Sequence, residues 1–204
     1  MSFLNTPIQV GKTLLPNRLV MPPMATARST EQGEVTDDLC RYYAQRAQGD
    51  FVGLIITEHC YVSPEGKARP GQMSISRDSD IPGLTKLAKA IHSAGGSRVF
   101  AQISHAGAAA RREVTGLAPI GPSALLFAGP TPKGITFADE TAEGERPRAM
   151  TGEDIARVTA DFASAARRAK EAGFDGVEIH SAHAYLLNQF YSPLTNLRTD
   201  AYGG

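Results

Sequence analysis

Short apolar runs alternate with longer segments of helical periodicity along this chain, and that alternation constrains the fold more than any other feature of the sequence. The run FVGLIITE at 51–58 is rich in β-branched residues and stays apolar until its last two positions, which is typical of a strand buried on both faces. The runs at 98–104 and 174–180 predict two more strands. The run at 18–25 predicts another, which ends at paired prolines.

Helices are predicted between these strands. The segment 36–49 is predicted to open at Asp37 or Asp38 and to close at a glycine. The segments 80–96 and 151–173 carry apolar residues at helical spacing and are also followed by glycine. Strands and helices that alternate along a chain predict a parallel sheet with right-handed crossovers, and therefore an α/β fold.

The composition excludes some classes of function. The chain has 204 residues, and its 21 Lys and Arg balance 21 Asp and Glu, so the net charge of +0 and the lack of a basic block exclude a typical nucleic-acid-binding protein. No apolar run approaches the roughly 18 residues of a membrane span, and no signal peptide is visible. The two cysteines form no CxxC pair, so we expect a reducing, cytoplasmic location.

Polar residues occur where the predicted strands end, and in parallel β/α folds the carboxyl ends of the strands face the ligand. These residues are Thr57, Glu58, Gln102, His105, Glu178, His180 and His183. The long segment 107–150, rich in Gly, Pro and Ala, follows the third strand, where insertions commonly contribute to sites. The sequence therefore predicts a ligand site on one side of the sheet.

The histidine pair His180 and His183 has three interpretations. A metal site would need a third and a fourth ligand, for which Glu178 or His105 is available, but the spacing is not that of the HExxH zinc motif. Neutral imidazoles also donate hydrogen bonds to a carbonyl or anionic oxygen. The third interpretation is that both histidines are satisfied structural residues.

Three other side chains are candidates for chemistry or for packing. Tyr185 can act as a proton donor or as a core aromatic residue. The amide of Gln102 both donates and accepts, which suits the edge of a flavin ring, but it also suits a solvated strand end. Cys60 has no cationic neighbour in the sequence, so we expect it to be unreactive.

Four motifs resemble those of the old yellow enzyme family of flavin oxidoreductases: NRLVMPPMAT, GLIITE, AQISHAG and GFDGVEIHSAHAYLLNQFYSPLTNLRTDAYGG. The resemblance extends from about Phe3 to Gly204. It implies a parallel (β/α)8 TIM barrel that binds FMN at the carboxyl ends of its strands. Residues 1–204 would be the N-terminal half of that barrel, with about the first four βα units.

The resemblance also implies which residues contact the cofactor and the substrate. Six positions match residues that lie along FMN in this family: Pro23, Met24 and Ala25 after the first strand, Glu58 and His59 at the end of the second, and Gln102 in the third. His180 and His183 match the pair that binds a substrate carbonyl oxygen, and His180 also lies near the flavin. Tyr185 matches the proton donor. No metal ligand is implied.

The resemblance implies an enzyme that uses NADH or NADPH to reduce FMN and then reduces an activated alkene, an unsaturated carbonyl compound. An amine or demethylating dehydrogenase of the same superfamily is the alternative enzyme, and a non-catalytic half-barrel is the alternative outside enzymology. The HxxH pair favours reduction, because imidazole donors suit a carbonyl oxygen better than an amine cation.

The chain departs from the family pattern at three points. Ala25 stands where many relatives have Cys or Thr, with Thr26 one residue later, and Ala108 stands where many have Arg. The chain also ends about halfway through the family barrel. Four parallel strands would leave two open edges, so we expect a segment of a longer polypeptide or association with a second copy.

Overall fold

A computed structural model of the chain describes residues 3–125, 127–131, 134–137 and 146–203. The strands in this part of the chain are β1 (Ile8–Val10), β2 (Thr13–Leu15), β3 (Val20–Met21), β4 (Leu54–Tyr61), β5 (Arg98–Ser104), β6 (Ile120–Gly121), β7 (Phe127–Thr131), β8 (Gly134–Phe137), β9 (Arg148–Ala149) and β10 (Gly176–Ile179). The α-helices are α1 (Asp37–Ala47), α2 (Ile81–His92), α3 (Arg112–Thr115), α4 (Gly152–Glu171) and α5 (Leu186–Tyr191).

The central element is a four-stranded sheet with the strand order β10-β5-β4-β3. β10 pairs with β5 in parallel, and β3 pairs with β4 in parallel. Three small two-stranded sheets accompany it, formed by β1 and β2, by β6 and β9, and by β7 and β8. The predicted α/β fold with four sheet strands is confirmed. Part of the predicted insertion 107–150, namely 126, 132–133 and 138–145, lies outside the described residues.

The second sheet strand differs from its prediction. The sequence predicts a strand over 51–58, whereas β4 runs from Leu54 to Tyr61 and is buried throughout. Glu58 and His59 therefore lie inside the strand and not at its end. The prediction ended the strand at the carboxylate, but that carboxylate accepts a hydrogen bond from the backbone N–H of Thr26 at 2.6 Å. A hydrogen-bonded carboxylate can be buried in a strand, whereas an unpaired one would be costly there.

The chain divides into two compact units, each assembled from three segments. The first contains residues 1–60, 71–103 and 163–179, and the second contains residues 61–70, 104–162 and 180–204. The first unit holds the four-stranded sheet except for the last residue of β4 and of β5. Each unit has its own apolar core.

The first unit buries the apolar side chains of the helices α1 and α2, which pack against each other. Its largest fully buried apolar side chains include Leu39, Tyr43, Leu84, Leu87 and Ile91. Burial of one such side chain stabilises the fold by about 1.5–3 kcal/mol.

The core of the second unit lies beneath the short helix α5. It consists of Ile120, Met150, Val158 and Leu186, with Ile155, Phe162 and Phe190 packed against it. Leu186 is the first residue of α5 and directly follows Tyr185. The position of this tyrosine is therefore tied to the packing of the helix. Within the described residues, no helix combines the length and the hydrophobicity needed to cross a membrane.

Candidate active site

The loop that follows β3 is attached to the neighbouring strand by a buried carboxylate. Glu58 is only 2% exposed, and its Oε2 accepts a hydrogen bond from the backbone N–H of Thr26 at 2.6 Å. Thr26 directly follows Pro23, Met24 and Ala25, the predicted flavin loop. Met24 and Ala25 are exposed, so the loop offers accessible surface while its end is held in place.

Glu58 is itself held by the first helix. The hydroxyl oxygen of Tyr43 accepts a hydrogen bond from the backbone N–H of Glu58 at 2.7 Å. Burial, assisted by the charge of Glu58, raises the pKa of Tyr43 well above its ordinary value, so the phenol stays protonated. Helix α1, strand β4 and the predicted flavin loop are thereby joined by a chain of hydrogen bonds.

Gln102 and Glu178 form a pair on adjacent strands. The two residues are in register between β5 and β10, and Nε2 of Gln102 donates to Oε1 of Glu178 at 2.8 Å. This bond uses one amide proton and orients the rest of the amide, which has a second N–H and a carbonyl oxygen. The Gln102 side chain therefore presents a fixed donor and a fixed acceptor.

His59 is engaged inside the first unit. Nε2 of Gln72 lies 3.0 Å from Nδ1 of His59 and also donates to the His59 carbonyl oxygen at 3.2 Å. An amide N–H toward Nδ1 makes that ring nitrogen the acceptor and places the imidazole proton on Nε2. The expected main-chain contacts of Glu58 and His59 with a flavin stay predictions.

The second unit brings His180, His183 and Tyr185 together. The ring centroids of the two histidines are 5.6 Å apart, and those of His180 and Tyr185 are 5.0 Å apart. His180 is 8% exposed, whereas His183 is exposed and Tyr185 is half-buried. One buried and one exposed imidazole thus stand beside a phenol.

His180 is held as a neutral ring. Its Nδ1 accepts a hydrogen bond from the backbone N–H of Ala182 at 3.3 Å. Burial, and then the neighbouring His183, lower the pKa of His180 below its ordinary value. The ring is therefore uncharged at neutral pH and carries its proton on Nε2, which makes this nitrogen a donor.

An unusual backbone turn brings the three side chains together. His183 and Ala184 have φ angles of 56° and 57°, in the left-handed region. For residues other than glycine this conformation costs roughly 1–2 kcal/mol each. The backbone N–H of Tyr185 donates to the carbonyl oxygen of Ala182 at 3.1 Å and closes the turn.

His105, a candidate ligand in the metal interpretation, has structural contacts. It is 1% exposed, and its Nδ1 accepts a hydrogen bond from the backbone N–H of Gly107 at 2.9 Å. Burial lowers the pKa of His105 to about 4, against a smaller opposing effect of Glu65. In the part of the chain that the structure describes, no three His, Cys, Asp or Glu side chains form a group that could hold a metal.

The sequence alone assigns no role to two polar residues of the second unit. Asn188 and Gln189 lie within LLNQFY, which forms α5. Gln189 is 1% exposed. Its apolar neighbours in the sequence are the signal that could have indicated this burial. Its contacts could not have been read from the sequence, because two of them join residues more than 80 positions apart.

The sequence as a whole matches the NADH:flavin oxidoreductase / NADH oxidase family over residues 3–204. The chain belongs to this family. It is 44% identical over 204 residues to a metal reductase of Desulforamulus reducens and 43% identical over 198 residues to an NADH oxidase of Thermoanaerobacter brockii. The alignments cover 100% and 96% of this chain but only 28% of each relative.

A solved structure supports the same assignment. The old yellow enzyme homologue from Zymomonas mobilis matches with a TM-score of 0.85 and 36% identity, over 100% of this chain and 55% of that protein. The four-stranded parallel sheet thus corresponds to part of a (β/α)8 TIM barrel, as expected from the motifs. FMN is the flavin of this enzyme family, and NADH or NADPH is the reductant.

Proposed function

We propose that the complete protein is an FMN-dependent oxidoreductase that uses NADH or NADPH to reduce an activated alkene, an α,β-unsaturated carbonyl compound. The observation that carries this proposal is the cluster of His180, His183 and Tyr185, in which a second imidazole and a phenol have their ring centroids within 5.6 Å of that of a neutral imidazole donor. We further propose that residues 1–204 are the N-terminal half of the catalytic barrel, because the chain spans about half of the old yellow enzyme homologue.

The side chains of the first unit fit a flavin. The Gln102 amide, oriented by Glu178, suits the alternating donors and acceptors of a pyrimidine edge. The exposed loop of Pro23, Met24 and Ala25 would lie along the ring, with its end fixed by Glu58. Glu58 and His59 would add main-chain contacts. FMN, when bound, supplies the hydride that it takes from NADH or NADPH.

The two imidazoles would bind the carbonyl oxygen of the substrate. Negative charge builds on this oxygen when hydride adds to the β-carbon, and N–H donors aimed at it stabilise that charge. The loss of one such donor typically costs roughly 3 kcal/mol, or about a hundredfold in rate. The lowered pKa of His180 supports a role as a neutral donor at physiological pH.

Tyr185 would supply the proton that completes the reduction. Its ring centroid lies 5.0 Å from that of His180, so a carbonyl compound bound by the histidines would have its adjacent carbon within reach of the phenol. A positioned acid of this kind contributes roughly 10²–10⁴-fold to the rate.

The proposal is tested by anaerobic turnover of the full-length, FMN-loaded protein. We expect NADH or NADPH oxidation to be matched mole for mole by conversion of 2-cyclohexen-1-one to cyclohexanone. A tertiary amine, offered in parallel, tests the dehydrogenase alternative. Oxidation of the amine without reduction of the enone would contradict the proposal.

The role of the histidine pair is tested by ligand binding. A phenol added to the oxidised protein should bind at the proposed oxygen site and give a long-wavelength charge-transfer band. In the double variant His180→Ala, His183→Ala we expect the phenol affinity to fall at least about a hundredfold. Unchanged affinity would remove the histidines from the oxygen site.

A further inference from the structure

Both backbone polar groups of Ala184 are bound by side chains of α5. The N–H of Ala184 donates to Oδ1 of Asn188 at 2.9 Å. The carbonyl oxygen of Ala184 accepts a hydrogen bond from Nε2 of Gln189 at 2.7 Å. The two contacts hold the peptide planes on either side of this alanine, and thereby its φ and ψ angles.

These contacts act on an unfavourable stretch of backbone in the second unit. His183 and Ala184 are consecutive, both have positive φ, and neither is glycine. Such a conformation persists only where surrounding contacts determine it. His183 is exposed, so burial of its own side chain does not supply the constraint.

Gln189 is fixed in turn by the loop after β5. Its Oε1 accepts a hydrogen bond from the N–H of Ala108 at 3.0 Å, and its Nε2 also donates to the carbonyl oxygen of Ala106 at 3.1 Å. A Cβ at Gly107, where φ is 62°, would collide with the amide of Gln189. The Gln189 amide thus links two separate loops of the second unit and has little freedom to rotate.

We propose that Asn188 and Gln189 are positioning residues that hold His183 and Ala184 in the left-handed turn, and so direct the rings of His183 and Tyr185 toward His180. They act through the backbone of Ala184. The consequence for substrate binding rests on the proposed function, whereas the effect on the arrangement of the rings does not.

The test compares two substitutions of Asn188 in the full-length, FMN-loaded protein. Asn188→Leu keeps the branched skeleton of the side chain but removes the oxygen that accepts from Ala184, whereas Asn188→Asp keeps an acceptor at that position. We expect the nuclear Overhauser effect between the ring protons of His180 and His183 to be retained in the Asp variant and lost in the Leu variant. A folded Leu variant that retains this effect would overturn the proposal.

A rescue separates positioning from general stabilisation. Glycine adopts positive φ without a side-chain penalty, so Ala184→Gly in the Asn188→Leu background should restore the ring contact and at least part of the phenol affinity. We expect Asn188→Leu alone to weaken phenol binding at least about tenfold, which corresponds to about 1.4 kcal/mol. If the folded double variant regains neither the ring contact nor the phenol affinity, Asn188 does not act by holding the left-handed turn.

One measurement needs no variant. The amide proton of Ala184 in the unsubstituted protein should exchange with solvent at least about tenfold more slowly than in an unstructured peptide. Exchange at the unstructured rate would overturn the proposal even if the Leu variant does not fold.

The outcomes also separate this inference from the proposed function. If the unsubstituted protein binds no phenol and reduces no enone, the proposed function fails, but loss of the ring contact in the Leu variant still supports the positioning role. If the protein reduces enones and the ring contact survives in the Leu variant, the positioning role fails alone.

Discussion

Two buried histidines make the stability of the second unit depend on pH. His105 has a pKa of about 4 and the pKa of His180 is also lowered, while an unfolded histidine titrates near 6.5. The unfolded state therefore binds protons first as the pH falls. The contribution of the two neutral histidines to the free energy of unfolding is fully present above about pH 6.5. It is lost progressively as the pH drops toward the pKa of each histidine in the folded state.

His105 offers a direct test of this pH dependence. Between pH 7.5 and pH 5 we expect its titration to lower the free energy of unfolding by about 2 kcal/mol. His105→Asn keeps an acceptor for the N–H of Gly107 but does not titrate, so the variant should show a correspondingly smaller loss. Urea denaturation at the two pH values measures both proteins. An equal loss in the two would assign the pH dependence to other groups.

Tyr185 can be separated from its neighbours by kinetics. Tyr185→Phe keeps the ring but removes the acid, so we expect the oxidative half-reaction with an enone to slow by roughly 10²–10⁴-fold. Reduction of the bound flavin by NADPH should continue at a similar rate, because no proton is needed there from the phenol. Stopped-flow measurement of each half-reaction decides the matter, and equal slowing of both would indicate a structural role.

At the scale of the elements, local patterns predicted which segments are strands and helices better than where they begin. β5 has the predicted bounds 98–104, since its apolar run is bounded by polar residues on both sides. Helix α1 is capped by Thr36 and not by Asp37 or Asp38. All three can cap a helix, and the distant backbone of Arg28, which accepts from the Thr36 hydroxyl at 2.7 Å, is not visible in the local sequence.

The residues of the candidate site could be predicted from the sequence, but not the backbone and the contacts that position them. The spacing of His180, His183 and Tyr185 pointed to a cluster, and the structure brings these side chains together. The left-handed turn was not predictable, because that conformation normally signals itself through glycine and here it occupies His183 and Ala184. The anchoring of Thr26 by Glu58 joins residues 32 positions apart and depends on the tertiary fold.

The Glu58 anchor carries a prediction about cofactor binding. Glu58→Ala frees the N–H of Thr26 and should let the loop of Pro23, Met24 and Ala25 lose its fixed end, so we expect FMN affinity to fall at least about tenfold. Glu58→Gln keeps an acceptor oxygen and should lose less. Fluorescence titration of FMN against each variant measures the effect. If both variants bind FMN as tightly as the unsubstituted protein, the loop does not need this anchor.

At the scale of the whole molecule, the two outer strands of the sheet limit what the chain can do alone. β3 and β10 each pair with one sheet neighbour among the described residues. Val20 and Ile179, which lie in these strands, are exposed. Closure of a barrel pairs such edges and covers such side chains.

We therefore expect residues 1–204, expressed alone, not to retain FMN as a monomer. Burial of apolar surface contributes roughly 25 cal/mol per Å², so a few hundred Å² left exposed to water costs several kcal/mol of stability. This loss is comparable to the whole free energy of unfolding of a domain. Late strands of such barrels also commonly carry the phosphate-binding loops. Sedimentation with simultaneous flavin absorbance is the measurement. A yellow species near 21.7 kDa would refute the expectation, whereas a flavin-bearing dimer would indicate that two copies complete the fold.

The contact between Gly107 and Gln189 has a consequence for protein engineering. The amide of Gln189 and the backbone of Leu186 occupy the space that a side chain at position 107 would need, and the positive φ there also disfavours one. Neighbouring Ala106 and Ala108 meet the same amide through their backbones, and the side chain of Ala106 is fully buried. A loop transplanted from another protein into positions 105–110 should therefore need a glycine at the third place and a small residue at the second.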